Sequence, residues 1–312
     1  VADGWRVTEE PAPRRDRRVV LLLWLLPLWL VISSLGGMWL YLRKQAAAEE
    51  EEQARFTTGI SAAGLQDDVG KFLGFVGERH SASAGGVQGL KRAAAMIEGS
   101  LGPGNAGYRV ERVAGPSLPG GRWPILIAKV KGKDEDLPPL WVVAAYDARQ
   151  GSPGAEANAT GVASVLAAAH AMAAELPARP IRFAFLPHGY ETEGPLLEAF
   201  GILKQRVGEA SSVLVVESTG AGKSLLVSSR DAENPALAQA GGLGEVVGAE
   251  AICLEDDFDL SSALFELGMP AVRVATRPVV KADEADDKAP DPALHAAATT
   301  ALTDLIRRLS DS

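Results

Sequence analysis

With 312 residues, 47% of them apolar and 23% charged, the chain has the make-up of an ordinary folded protein, with room for one domain of about 200–250 residues plus an appendage. A net charge of −9, with no basic stripe outside one Arg-rich patch near the N-terminus, argues against nucleic acid as a partner. A single cysteine, Cys253, excludes an internal disulfide and leaves the redox compartment unread.

Residues 1–18 contain Pro and Arg and read as a short cytoplasmic tail. Residues 19–42 follow without a single charge. As a helix, ~24 residues span ~36 Å, enough to cross a bilayer with some tilt. Trp24, Trp29, Trp39 and Tyr41 are amphipathic rings of the kind found at interfaces, and Pro27 lies near the start, where a helix tolerates it. A signal peptide has a shorter apolar core, so the segment reads as a retained transmembrane helix. Arg14, Arg15, Arg17 and Arg18 precede it, whereas Arg43 and Lys44 are followed by the acidic run Glu49 to Glu52. The basic side should stay in the cytoplasm, which places the C-terminal part in the periplasm or outside the cell. Ser33, Ser34, Gly36 and Gly37 suit close packing against another membrane helix, and equally suit plain contact with lipid. Residues 43–64 read as a charged stalk, whose Ala and Glu favour a helix continuing from the membrane.

The globular domain is expected over 65–312. A helix is expected over 91–101. Residues 108–113, 124–131 and 140–146 are short runs rich in Val, Ile and Leu between turn residues, and predict strands. Residues 160–176 predict an Ala-rich helix ended by Pro177. A strand at 180–186, a helix at 193–207, and strands at 213–218 and 224–228 follow. Helices at 235–247 and 260–267, a strand at 271–275 and a closing helix at 292–309 complete the pattern. Apolar strands alternating with helices predict an α/β fold: a three-layer sandwich with a mixed, largely parallel central sheet, plus the one N-terminal transmembrane helix.

Four segments stand in a telling order: Gly77-Glu78-Arg79-His80-Ser81 with Gly85-Gly86; Val142-Val143-Ala144-Ala145-Tyr146-Asp147; Gly154-Ala155-Glu156-Ala157-Asn158-Ala159-Thr160-Gly161; and Phe185 to Gly194, containing Glu191. Together they resemble the zinc-dependent exopeptidases of metallopeptidase family 28, which include secreted bacterial aminopeptidases and the ectodomain of the transferrin receptor. The resemblance covers about residues 70–309. It implies a zinc-exopeptidase-like sandwich with five metal ligands and a general base.

Most of the implied ligands are replaced. The family's first His, two residues before an Asp, corresponds to Ala145 before Asp147. The bridging Asp before Asn corresponds to Ala157 before Asn158. In the Glu-Glu-x-Gly segment, anchored on Gly194, the base position is Glu191 and the ligand position is Thr192; shifting by one makes Glu193 a ligand but puts Thr192 at the base. Glu217 matches the ligand that follows a strand. Gly268-Met269-Pro270-Ala271 is present, but 272–294 contain no His, and His295 reads as a surface or packing residue. Zinc needs three or four N, O or S donors, so a site with four of five ligands missing is expected to hold no metal and no cofactor. His188, Glu191, Glu193, Asp147 and Glu217 could share one sheet edge, either as a substitute metal site or as ordinary polar groups in a cleft.

Other motifs read as structural. Gly220-Ala221-Gly222-Lys223-Ser224 lacks the earlier glycine of a phosphate loop, where Glu217 stands instead, and predicts a tight turn between two strands. No Gly-x-Ser-x-Gly elbow occurs. The acidic runs Glu255-Asp256-Asp257 and Asp283 to Lys288 are expected to be solvated loops. Asn158-Ala159-Thr160 is a glycosylation sequon. The expectation is a catalytically inactive, membrane-anchored exopeptidase-like domain that serves as a scaffold or accessory subunit. Its partners would be the bilayer through 19–42 and other subunits of a membrane complex. The alternatives are an active metal-dependent aminopeptidase or amidohydrolase with an atypical site, using Glu191 as base, or a module that binds peptides or amino acids.

Overall fold

The uncharged N-terminal run lies inside one long helix, α1 (Arg17–Phe56). The computed structural model describes residues 17–56, 59–118, 121–190, 194–222, 224–254, 260–281 and 284–312. Contacts divide the chain into a unit ending at Glu51 and a second unit from Glu52 to Ser312. Within α1, Trp24–Gln45 is the one helical stretch among the described residues that is long and apolar enough to cross a membrane. Its large side chains from Trp24 to Leu42 are exposed, and Pro27 sits within the helix. The Ser33 hydroxyl donates to the Trp29 carbonyl (2.8 Å), and the Arg43 guanidinium lies 5.3 Å from the Trp39 ring centre. One apolar helix at this place fits a membrane anchor and also a signal sequence.

In the second unit α2 (Ala62–Lys71) begins within the last residues read as stalk and continues into the domain. Ser61 caps it by accepting from the Gly64 amide (3.1 Å), and Leu65 and Val69 turn its apolar face inward. A π-helical turn, Phe72–Val76, leads to α3 (Ala84–Leu101). The sheet contains β1 (Glu111–Leu118), β2 (Gly121–Val130), β3 (Leu140–Ala145), β4 (Ile181–Leu186), β5 (Ser212–Val216), β6 (Leu225–Ser229), β7 (Ala249–Cys253) and β8 (Ala271–Ala275). The remaining helices are α4 (Gly161–Ala171), α5 (Gly194–Val207), α6 (Pro235–Val247), α7 (Leu260–Glu266) and α8 (Pro292–Asp311).

Strand order is β1-β2-β4-β3-β5-β8-β6-β7. β3 runs parallel to β4 and β5, β5 to β8 and β6 to β7, while β1–β2, β2–β4 and β6–β8 are antiparallel. The sheet is therefore mixed, with a parallel centre. Two-residue alternation divides each central strand between two cores. Leu140, Val142 and Ala144 face the layer of α2, α3, α4, α6 and α8. Trp141, Val143 and Ala145 face α5 and α7. Each large apolar side chain buried this way contributes about 1.5–3 kcal/mol relative to exposure; Phe72, Phe183, Phe185 and Phe200 are all wholly buried.

The path of the chain around β3 positions the site. From β3 the chain passes through α4 to β4 on one side, then through α5 to β5 on the other. The strand order reverses about β3, which leaves a crevice beyond the carboxyl ends of β3 and β5, where open α/β sheets bind ligands. Gly161 lets α4 approach this end: a Cβ there would lie 2.7 Å from the Val216 carbonyl oxygen.

Three local expectations change. β1 begins later than 108 and continues past 113 through Gly115 and Pro116, by means of a register irregularity between Ala114 and Ser117. β7 had no sequence signal, being an edge strand whose middle residues are exposed. The glycine-rich 220–224 segment does follow β5, but it joins strands that are not neighbours, since β8 lies between β5 and β6.

Candidate functional site

At the end of β3, Ala145 points into the α5–α7 core and Asp147 follows it, fully buried. Asp147 docks the segment after β4: its Oδ1 accepts from the Gly189 amide (2.7 Å) and its Oδ2 from the Tyr190 amide (2.8 Å). This brings the Gly189 backbone directly against Ala145. A Cβ at 189 would collide with the Ala145 methyl and lie 3.1 Å from Leu260 Cδ1. The Asn158 amide donates to the Ala145 carbonyl. Position 145 is thus lined by the Gly189 main chain.

Tyr190 extends from this segment toward charge. Burial first, and then the Glu217 carboxylate, raise its phenol well above the ordinary value; Arg273 and Arg149 oppose this. The Arg149 guanidinium lies 5.8 Å from the Tyr190 ring centre and donates to the carbonyls of Val280 and Lys281.

Glu217 follows β5. The Arg273 Nε on β8 donates to its Oε2 at 2.8 Å, with both side chains almost wholly buried. A second Arg273 nitrogen donates to the Arg277 carbonyl (2.8 Å). Arg273 is in register with Val215, so it leaves the sheet on the same face as Val215, Glu217 and Ala145. Such a pair is costly to desolvate, and costlier still to break on one side only.

The 154–161 turn forms the opposite wall. Asp286 accepts from the amides of Glu156 (2.6 Å) and Ala157 (3.0 Å). Asp286 departs from the expected solvated loop: it is buried with its carboxylate on two amides of the turn, while Glu284, Asp287 and Lys288 are exposed. Burial raises Glu156 to about 7, partly offset by the Gly220 amide. Arg79 fastens the whole edge, donating to the carbonyls of Tyr146 (2.9 Å), Gly77 (3.0 Å), Pro153 (2.5 Å) and Gly154 (3.1 Å). Burial lowers it to about 10, which leaves it a cation at neutral pH.

The structure therefore brings Ala145, Asp147, Ala157 and Glu217 to one sheet edge. Glu191, Thr192 and Glu193 lie outside the described residues. His188 packs edge-on against Trp123, ring centres 5.7 Å apart. His295 is a packing residue: its Nε2 lies 2.9 Å from the Ser164 hydroxyl and 3.2 Å from the Thr160 carbonyl oxygen, and burial lowers it to about 4. Asn158 is fully buried, so the sequon is closed in the folded domain.

Residues 126–236 match the sequence profile of peptidase family M28. The chain has an aminopeptidase-like α/β fold with an eight-stranded mixed sheet. The LapA aminopeptidase of Legionella pneumophila superposes with a TM-score of 0.61 at 14% identity, over 86% of this chain and 74% of LapA. BSAP, a zinc aminopeptidase from Bacillus subtilis, gives 0.62 at 12% identity, over 81% of this chain and 98% of BSAP. A leucine aminopeptidase precursor from Bacteroides thetaiotaomicron gives 0.59 at 15%, over 80% and 98%. No curated protein matches by sequence.

The M28 fold implies zinc, and the donors at the described positions 145, 147, 157 and 217 do not fit it. Ala145 and Ala157 offer methyl groups. Asp147 is bonded to two amides, and Glu217 already faces a guanidinium. The further expectation that the chain is not an enzyme is nevertheless overturned. The matched family is a peptidase family, and the solved structures sharing its fold are described as aminopeptidases. Changed donors at 145 and 157 alter how an M28 site could bind metal. They do not decide hydrolysis, which needs an activated water and a polarised carbonyl from whatever groups supply them.

Proposed function

We propose that this chain is a membrane-tethered M28 domain that holds a polypeptide segment of a membrane-complex partner at the C-terminal edge of its sheet. In this reading residues 1–18 are a cytoplasmic tail, 19–42 the span, 43–64 a stalk, and 65–312 the domain outside the cytoplasm. The observation that carries it is the joining of an M28 fold to a single helix long and apolar enough to cross a bilayer. Aminopeptidases of this fold act on the ends of polypeptides. A tether confines such an edge to partners at the same membrane and raises their effective concentration. The Arg residues before the span support the orientation.

The test is native mass and subunit content after extraction from the protein's own membranes in mild detergent. Stoichiometric companions that depart when 65–312 is deleted support the reading; a lone monomer or homodimer refutes it. A second reading, hydrolysis at the same edge, is favoured by the family match. Release of aminoacyl reporters by the purified chain, lost in Glu191→Gln, would establish it with Glu191 as base.

A further inference from the structure

The Glu217–Arg273 pair has a consequence for the charge of the site. Ala145, Glu217 and Arg273 leave the same face of the sheet at the same edge, because 273 is in register with 215 and the strand period is two. Arg273 is the charged residue in β8, an otherwise apolar strand buried along its whole length. A charge there is retained only against a partner. Its Nε meets Glu217 Oε2 at 2.8 Å, and its Nη1 is fixed on the Arg277 carbonyl at 2.8 Å. The guanidinium is thereby held in one orientation, with its positive charge against the carboxylate that the M28 fold offers to a metal. A divalent ion reaching Glu217 would meet that charge at ion-pair distance, in a site where like charges are poorly screened.

We propose that Arg273 is the resident cation of this site: it neutralises Glu217 in place of a metal ion, so the folded domain is complete without zinc and does not take zinc up at Glu217. The inference depends on where the fold places these residues. It does not depend on polypeptide binding, so failure of one reading leaves the other standing.

Zinc itself is the probe, with the full-length protein in detergent micelles. Calorimetric titration and metal content after dialysis are measured alongside thermal melts in zinc and in EDTA. The wild type is expected to bind no stoichiometric zinc, with melts coinciding within about 1 °C, because a ligand without affinity for the native state cannot stabilise it. Arg273→Met should lower the midpoint by several degrees, Arg273→Lys by less, and Glu217→Leu combined with Arg273→Met should recover much of the loss in EDTA. One or two equivalents of zinc on the wild type, with a raised midpoint and both effects lost in Glu217→Gln, would overturn the proposal. So would an Arg273→Met variant as stable as the wild type. The wild-type titration decides the metal question even if a variant fails to fold.

Discussion

Replacing Ala145 by His would supply the first imidazole of the M28 pattern, and the structure predicts that the domain resists it. The Gly189 main chain lies so close to the Ala145 methyl that a Cβ on 189 would already collide with it. An imidazole adds five ring atoms beyond that methyl. To admit them, the 188–190 segment must move away, and Asp147 then loses the amides of Gly189 and Tyr190. Overpacking costs about 1–3 kcal/mol, and a hydrogen bond to a charged group contributes about 1.5–3 kcal/mol. Because one displacement causes both losses, a total of about 3–6 kcal/mol is expected rather than the full sum. For a domain of this size that corresponds to a midpoint lowered by roughly 6–24 °C. Thermal melts of full-length protein in micelles, with Ala145→Ser as the small control expected to cost about 1 kcal/mol, read the difference. An Ala145→His variant within about 1 kcal/mol of wild type would show that the segment swings aside freely and that the closed edge is misread. Restoration of the loss by zinc would refute the resident-cation proposal as well.

Other outcomes follow from the same geometry. Burial holds His295 at about 4, below the ordinary ~6.5, so its neutral form is favoured in the fold. Its contribution is complete above pH ~6.5 and is lost as pH falls toward 4, by up to about 3 kcal/mol; His295→Gln should flatten that limb of the stability–pH curve. Glu156, raised to about 7, has the opposite sign: its contribution is complete below pH ~4.5 and is lost as pH rises through 7. Glu156→Gln should therefore stabilise the domain at pH 8 while changing little at pH 4.5. Arg79→Met strands four carbonyls at the edge and should cost about 3–5 kcal/mol in denaturant unfolding, with a cost below about 1 kcal/mol denying its fastening role.

The fold was largely legible because its central strands are apolar on both faces, as in the run 140–145. The helix expected over 160–176 is shorter: α4 ends at Ala171, well before Pro177, so the proline is not its stop. What escaped was local. β7 contains Glu250 and exposes its middle, so nothing in its composition separates it from a loop. At the site, Asp147 and Glu217 were legible through the resemblance to the M28 pattern. Arg273 was not singled out, yet the signal existed: a guanidinium inside Ala271–Ala275, buried at every position, demands a counter-charge nearby. Asp286 was misjudged for the converse reason. Its neighbours in sequence are acidic and polar, and only the fold reveals that the 154–157 turn lacks other acceptors for two of its amides.

The pattern of kept and lost carboxylates has an electrostatic logic. Several carboxylates gathered at a buried edge are tolerable only against cations, since each otherwise repels the others and sheds its hydration. At position 157 the carboxylate implied by the M28 pattern has become a methyl, and the turn's amides take a carboxylate from outside the pattern, Asp286. At 217 the carboxylate is kept, and there the chain supplies Arg273 from the next strand. Asp147 is kept as well, and two main-chain amides answer its charge. Among the described residues, Asp147 and Glu217 are thus each matched by a donor within the chain, and position 157 is neutral. If zinc organised this edge, the natural arrangement would be the reverse: carboxylates facing one another, with no guanidinium among them. A double-mutant cycle on Glu217 and Arg273 separates these two designs, because only the first gives a large coupling in the presence of EDTA.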